Sequence, residues 1–113
     1  MLLKTKTWLY DIHKSIVEIE DFVGKETKYK DFVGDLKTIK AVERNLGIIG
    51  EACNRIQKTD APLAEKIGQI RDIIDTRNRI SHGYESVSNA VLWNIVQNKL
   101  PTLKMEVSKM LEE

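Results

Sequence analysis

The chain has 113 residues, of which 18 are basic and 17 acidic, so its formal net charge is only +1. It lacks the positive surplus of proteins that coat nucleic acid, and any RNA or DNA contact is expected to be local. A single cysteine excludes an internal disulfide and makes a reducing cytoplasm the default location. We expect one domain over residues 1–113, with no signal peptide and no membrane span.

The first predicted helix carries a stripe of apolar residues at helical spacing. Gly24 follows the stripe at the position where a C-terminal capping glycine is expected. Packing in the core explains Trp8, which lies on this stripe, and Trp93 in the last segment better than stacking on a ligand does. The next residues, KETKYKD at 25–31, are the most loop-like segment of the chain. The stripe consists of Trp8, Ile12, Ile16, Ile19 and Val23.

The second predicted helix has Asp35 as a plausible N-cap and a regular apolar stripe like the seam of a helical bundle. Cys53 lies on this stripe, which favours a small core residue over a nucleophile. Pro62 marks the start of a third helix, expected from about residue 63 to 82, with Gly68 loosening its beginning. The second stripe consists of Ile39, Val42, Leu46, Ile49, Cys53 and Ile56.

The last segment is also helical, and Pro101 predicts a kink or a restart within it. Strand signal is nearly absent, and only residues 84–87 could be extended. The pattern therefore predicts an all-α protein, an up-and-down bundle of four or five helices. The apolar stripe of the last segment consists of Leu92, Val96, Leu100, Leu103, Val107 and Met110.

Residues 77–84, RNRISHGY, bring two arginines, an asparagine, a histidine and a tyrosine together within eight positions. One reading is structural, because cations at a helix end complement its dipole and Gly83 suits the position just beyond. However, Arg77 falls on the apolar stripe between Ile73 and Ile80. A guanidinium there must be paired, as with an acid such as Glu51, or must face a cleft or an interface.

Arg77 and His82 lie about 140° apart around an ideal helix, so one straight helix cannot easily aim both at one phosphate. Either the helix unwinds before Gly83, or a two-fold dimer brings the motifs of two chains together. Such a pair suits metal-independent RNA cleavage, since histidine moves a proton and arginine stabilises charge on phosphate. The sequence offers no persuasive set of metal ligands and implies no cofactor.

The motif at residues 77–84 resembles the R-x4-6-H signature of the HEPN superfamily, in the RNxxxHxY form of its HepT-like branch, also called DUF86. Two further segments resemble this family: GDLKTIKAVERNLGIIGEACNRI at 34–56 and LWNIVQNKLPTLK at 92–104. The resemblance thus covers most of the chain, and it implies a dimerising all-α bundle, either a homodimer or a higher oligomer, with a ribonuclease site at the dimer cleft.

The resemblance further implies a toxin of a type VII-like toxin–antitoxin pair. Arg77 and His82 would be the catalytic pair, Asn78 would shape the site, and Tyr84 would receive AMP from the partner, an MntA-like minimal nucleotidyltransferase antitoxin. Added phosphate would then repel the RNA backbone. Two alternatives stay open: a non-catalytic subunit that presents substrate to the nucleotidyltransferase, and a purely structural dimer in which His82 caps a helix and Tyr84 packs.

Overall fold

The structure is a computed structural model that describes residues 1–82 and 87–113, and within these ranges it contains helices and no strand. The all-α prediction is therefore confirmed. The first half of the chain holds α1 (Leu3–Val23), α2 (Tyr29–Val33) and α3 (Leu36–Thr59). The second half holds α4 (Ala61–Ala64), α5 (Ile70–His82), α6 (Asn89–Asn94), a π-helical turn (Ile95–Lys99) and α7 (Leu100–Glu112).

Helix α3 lies at the centre of the bundle, where it packs against both α1 and α5, and α7 packs against α1. The predicted stripe of α3 is buried along its whole length. In α1 the stripe is confirmed from Ile12 onward, whereas Leu9 takes the core position at the first turns and Trp8 is only half-buried. That shift of one residue leaves the Trp8 ring partly open to solvent.

The ends of the first helices follow the predicted capping signals. Gly24 closes α1 with a φ of 80°, a left-handed conformation that glycine adopts without strain. Asp35 caps α3, where its carboxylate accepts hydrogen bonds from the Thr38 hydroxyl (2.6 Å) and from the Thr38 backbone N–H (3.1 Å). These two hydrogen bonds hold the pKa of Asp35 below its ordinary value.

The predicted third helix over residues 63–82 is wrong in its first turns, because α4 ends at Ala64 and α5 begins only at Ile70. Between them the Gly68 backbone N–H donates to the Glu106 carboxylate of α7 at 3.1 Å instead of to a carbonyl one turn earlier. Glycine weakens a helix here, as predicted, and a side chain 38 positions away completes the break. The break also buries Ile67 in the core.

The predicted interruption at Pro101 is confirmed as a π-helical turn immediately before α7. Proline has no N–H to donate and its ring crowds the carbonyl four residues earlier, so the preceding turn widens. The assignment of residues 25–31 to a loop is wrong at its end, where α2 begins at Tyr29. Phe32 of α2 is buried, and its ring centre lies 5.3 Å from that of Trp93. A contact so distant in sequence leaves no local signal.

Cys53 is fully buried in α3, as predicted, and burial raises the pKa of its thiol to about 12, from 9.0. The unfolded chain loses this proton near pH 9 while the folded chain keeps it, so stability falls as pH rises above 9. Between pH 8 and pH 10 we expect the free energy of unfolding of the wild type to fall by about 1.4 kcal/mol more than that of the Cys53→Ala variant. Urea unfolding at pH 8 and pH 10 measures this change. Equal decreases in the unfolding free energy of the two proteins would contradict a raised pKa for the Cys53 thiol.

Candidate active site

An open cleft of about 400 Å³ lies between α1, α3 and α5. Three arginines, two carboxylates and the half-buried Trp8 ring give it a mixed polar and aromatic wall. The lining residues are Trp8, Asp11, Arg44, Gly47, Ile48, Glu51, Ala52, Arg55, Arg77 and Ser81. Arginine side chains beside an aromatic ring are the combination that single-stranded nucleic acid commonly meets on proteins.

Helix α5 crosses α3 at Gly50, and this crossing places Arg77 in the cleft. A Cβ atom at Gly50 would overlap the Cβ of Arg77 and lie 2.7 Å from its Cγ, so only glycine admits α5 at this distance. The stem of Arg77 therefore lies between the helices, on the stripe where the sequence places it, while its guanidinium reaches the cleft wall. The side chain is 29% exposed, which makes this a cleft residue rather than a core residue.

The Arg77 guanidinium has a partner on each side. Its Nη2 pairs with the Glu51 carboxylate, and its Nη1 donates to Asn78 Oδ1 at 3.0 Å. The ion pair expected on a structural reading is therefore formed, although it lies at the cleft and is not fully buried. These contacts use two of the five N–H donors of a guanidinium and fix the plane of the group.

Glu51 also binds a second arginine of the cleft. Its Oε1 accepts a hydrogen bond from Arg55 Nε at 3.0 Å, while Oε2 meets Arg77. The Arg55 hydrogen bond, together with the positive charges of Arg77, Arg55 and Lys58, lowers the pKa of Glu51 against the opposing effect of burial. The carboxylate is thus ionised at neutral pH and lies between two guanidinium groups.

His82 is the last residue of α5 and is exposed. Because α5 is helical from Ile70 to His82, Arg77 and His82 keep an angular separation of about 140°. The structure therefore brings Asn78 to Arg77 but leaves His82 on another side of the same helix. Gly83 and Tyr84, predicted as a capping glycine and a modification site, lie outside the described residues, as does most of the segment 84–87.

Sequence reasoning missed Arg44 and Arg55, which line the cleft from α3. A signal for them exists, because Arg44, Glu51 and Arg55 are separated by seven and four positions and so share one face of a helix. The side chains of the described residues form no group of three or more metal-ligating residues. No helix in the described part of the chain is long and apolar enough to cross a membrane.

The fold and the cleft define an all-helical protein in which arginines of two helices converge on one open site. The model of the family described as "Ribonuclease HepT-like" matches residues 12–110, and the chain belongs to this family. A protein of Thermococcus cleftensis named "Probable ribonuclease HepT" is 37% identical over 105 residues, which cover 93% of this chain and 94% of that protein.

A second relative comes from Methanocaldococcus jannaschii and is named "Putative RNase MJ0127". It is 30% identical over 110 residues, which cover 96% of this chain and 88% of that protein. No solved structure matches the chain significantly. The likeness to the relatives therefore extends over nearly the whole chain, including every helix that lines the cleft.

Proposed function

We propose that the protein is a metal-independent endoribonuclease, the toxin of a type VII-like toxin–antitoxin pair in the cytoplasm. The observation that carries this proposal is the position of Arg77. Arg77 lies on the apolar stripe of its helix, and it lines an open cleft together with other arginines. The chain that carries it belongs to the ribonuclease HepT-like family. The names of both relatives, which refer to ribonucleases, support the same activity.

The proposed reaction needs only side chains. His82 takes the proton from a ribose 2′-hydroxyl, and the 2′-oxygen attacks the adjacent phosphorus. The bond from phosphorus to the 5′-oxygen of the next nucleotide breaks, and that oxygen takes a proton from water as it leaves. His82 returns to solvent the proton that it removed. Arg77 stabilises the negative charge that develops on the phosphoryl oxygens. The products are an RNA that ends in a 2′,3′-cyclic phosphate and an RNA that begins with a 5′-hydroxyl.

The site is proposed to be shared between two chains. The regular geometry of α5 through His82 favours this arrangement over an unwound helix end, because one chain keeps Arg77 and His82 on different sides of the helix. In a two-fold dimer, Arg77 of one protomer can meet His82 of its partner. Asn78 accepts a hydrogen bond from the Arg77 guanidinium and so orients this group toward the phosphate.

Control of the toxin is proposed to come from an MntA-like nucleotidyltransferase antitoxin. Tyr84 follows His82 by two residues, so AMP attached to its hydroxyl would bring negative charge beside the catalytic histidine. That charge would repel the phosphates of RNA. A second candidate is a non-catalytic subunit that presents substrate to the same nucleotidyltransferase. The ion pair between Arg77 and Glu51 favours it, because a guanidinium paired with a carboxylate is also what a structural role predicts.

The test is a cleavage assay with protein produced without the antitoxin and shown by mass to be unmodified. Transfer RNA and total RNA are incubated with it in excess EDTA, and the fragment ends are analysed. We expect discrete fragments that carry 2′,3′-cyclic phosphate. Intact RNA in every reaction, with stable binding of the nucleotidyltransferase, would favour the non-catalytic subunit instead.

A further inference from the structure

The charged side chains of the cleft are arranged around one carboxylate. Glu51 lies between Arg55, on its own helix α3, and Arg77, on α5. Two guanidinium groups brought together would repel each other, and the carboxylate between them offsets that repulsion. The two arginines are therefore held as neighbours on the cleft wall before any ligand arrives, so less side-chain freedom is lost when one binds.

The exposure of the two arginines differs in a way that suggests a division of roles. The Arg77 side chain is 29% exposed and its stem is enclosed by α3, whereas the Arg55 side chain is 56% exposed. Arg55 donates its Nε–H to Glu51, so the two Nη groups remain the part of the guanidinium that can donate to two oxygens of a phosphate. An arginine fixed at Nε and open at its end is well placed for a phosphate oxygen pair.

The charge balance of the chain supports a local anion site here. Three arginines and two carboxylates line the cleft, which leaves it with a net charge of +1. The whole chain also has a net charge of +1, so the rest of its surface adds no excess positive charge. A phosphodiester chain attracted to this protein therefore finds its favourable contacts in the cleft rather than over a broad basic surface.

We propose that Arg55 is a second phosphate-binding residue, which contacts a phosphodiester of single-stranded RNA neighbouring the one held by Arg77. This inference rests on the proposed function and adds to it a separate backbone contact, used for binding and not for the chemical step. Arg55 on α3 and Arg77 on α5 then bind neighbouring phosphodiesters of one RNA strand. Trp8 lines the same cleft and is half-buried, and in this proposal a base of such a strand stacks on it.

The test measures binding of a 2′-O-methyl RNA oligonucleotide, which cannot be cleaved by 2′-oxygen attack, over a series of salt concentrations. Each phosphate contact on a single strand contributes about 0.7 to the slope of log affinity against log salt. We expect Arg55→Gln to reduce the slope by about 0.7 and to weaken binding by about 5-fold at 0.1 M salt. The control is Lys37→Gln, which removes an equal charge from an exposed site of the same helix.

Lys37 lies 18 positions from Arg55, about 27 Å along α3, so its removal is expected to leave the slope unchanged. An unchanged slope for Arg55→Gln, equal losses in both variants, or no binding by the wild type would each overturn the inference. Cleavage is scored separately on unmodified RNA. If the wild type binds RNA without cleaving it, the proposed nuclease activity is contradicted while the Arg55 contact is still supported. If the wild type cleaves RNA but its binding does not depend on Arg55, the nuclease activity is supported and the Arg55 contact is contradicted.

Discussion

His82→Ala is expected to reduce RNA cleavage by about 10²- to 10⁴-fold, the usual contribution of a general base or acid. The loss is expected without unfolding, because His82 is exposed at the last position of α5 and takes no part in the core. The assay compares initial cleavage rates of wild type and variant in EDTA, and circular dichroism checks the helical content of both.

His13→Ala provides the matched control, since His13 is the other histidine of the chain and lies half-buried on α1, outside the group of cleft-lining residues. Its cleavage rate is expected to equal that of the wild type. Similar rates for His82→Ala and wild type would remove His82 from the chemistry. Similar losses for both histidine variants would point to a general effect on the bundle.

Gly50→Ala and Gly47→Ala are expected to change stability in opposite directions, although they lie three positions apart on α3. A methyl group at Gly50 would overlap the stem of Arg77 and lie 3.2 Å from the carbonyl oxygen of Ile73, so α5 must shift away. Overpacking of this kind costs about 1–3 kcal/mol. A methyl group at Gly47 meets nothing within 4 Å, and alanine in a helix interior gains about 0.5–1 kcal/mol over glycine.

Urea unfolding of the two variants and the wild type measures both effects in one experiment. We also expect Gly50→Ala to lose cleavage activity under conditions where it stays folded, because the shift of α5 moves the Arg77 guanidinium relative to Glu51. Stabilisation by Gly50→Ala would show that the helices do not approach closely at this residue. Destabilisation by Gly47→Ala would contradict the open space at that site.

The long helices could be predicted from the sequence because their signals are local. The stripe of α3 and the caps at Gly24 and Asp35 depend on residues within a turn or two of each other. The failures have distant causes. The break before α5 depends on Glu106, and α2 depends on Trp93, both of which come from the last part of the chain. No reading of neighbouring residues reveals such partners.

The part of the candidate site that has a local sequence signal can be predicted, and the part that depends on the contact between two helices cannot. The misfit of Arg77 on an apolar stripe is visible in its own helix, and an acid such as Glu51 could be named as its partner. The crossing at Gly50 that brings α5 onto α3 is a property of two helices and has no signature in either alone. Trp8 packs against the core, as its place on the apolar stripe predicts, but the one-residue shift at the start of α1 leaves it half-buried and also lining the cleft.

A ribonuclease site completed by two chains is tested most directly by mixing two inactive variants. Arg77→Ala and His82→Ala proteins are each purified, combined under conditions that let subunits exchange, and assayed for cleavage in EDTA. Mixed dimers keep Arg77 on one chain and His82 on the other, so about a quarter of wild-type activity is expected: half of the dimers are mixed, and each has one of two complete pairs. No activity, in a mixture shown to contain mixed dimers and beside an active wild type, would contradict the shared site.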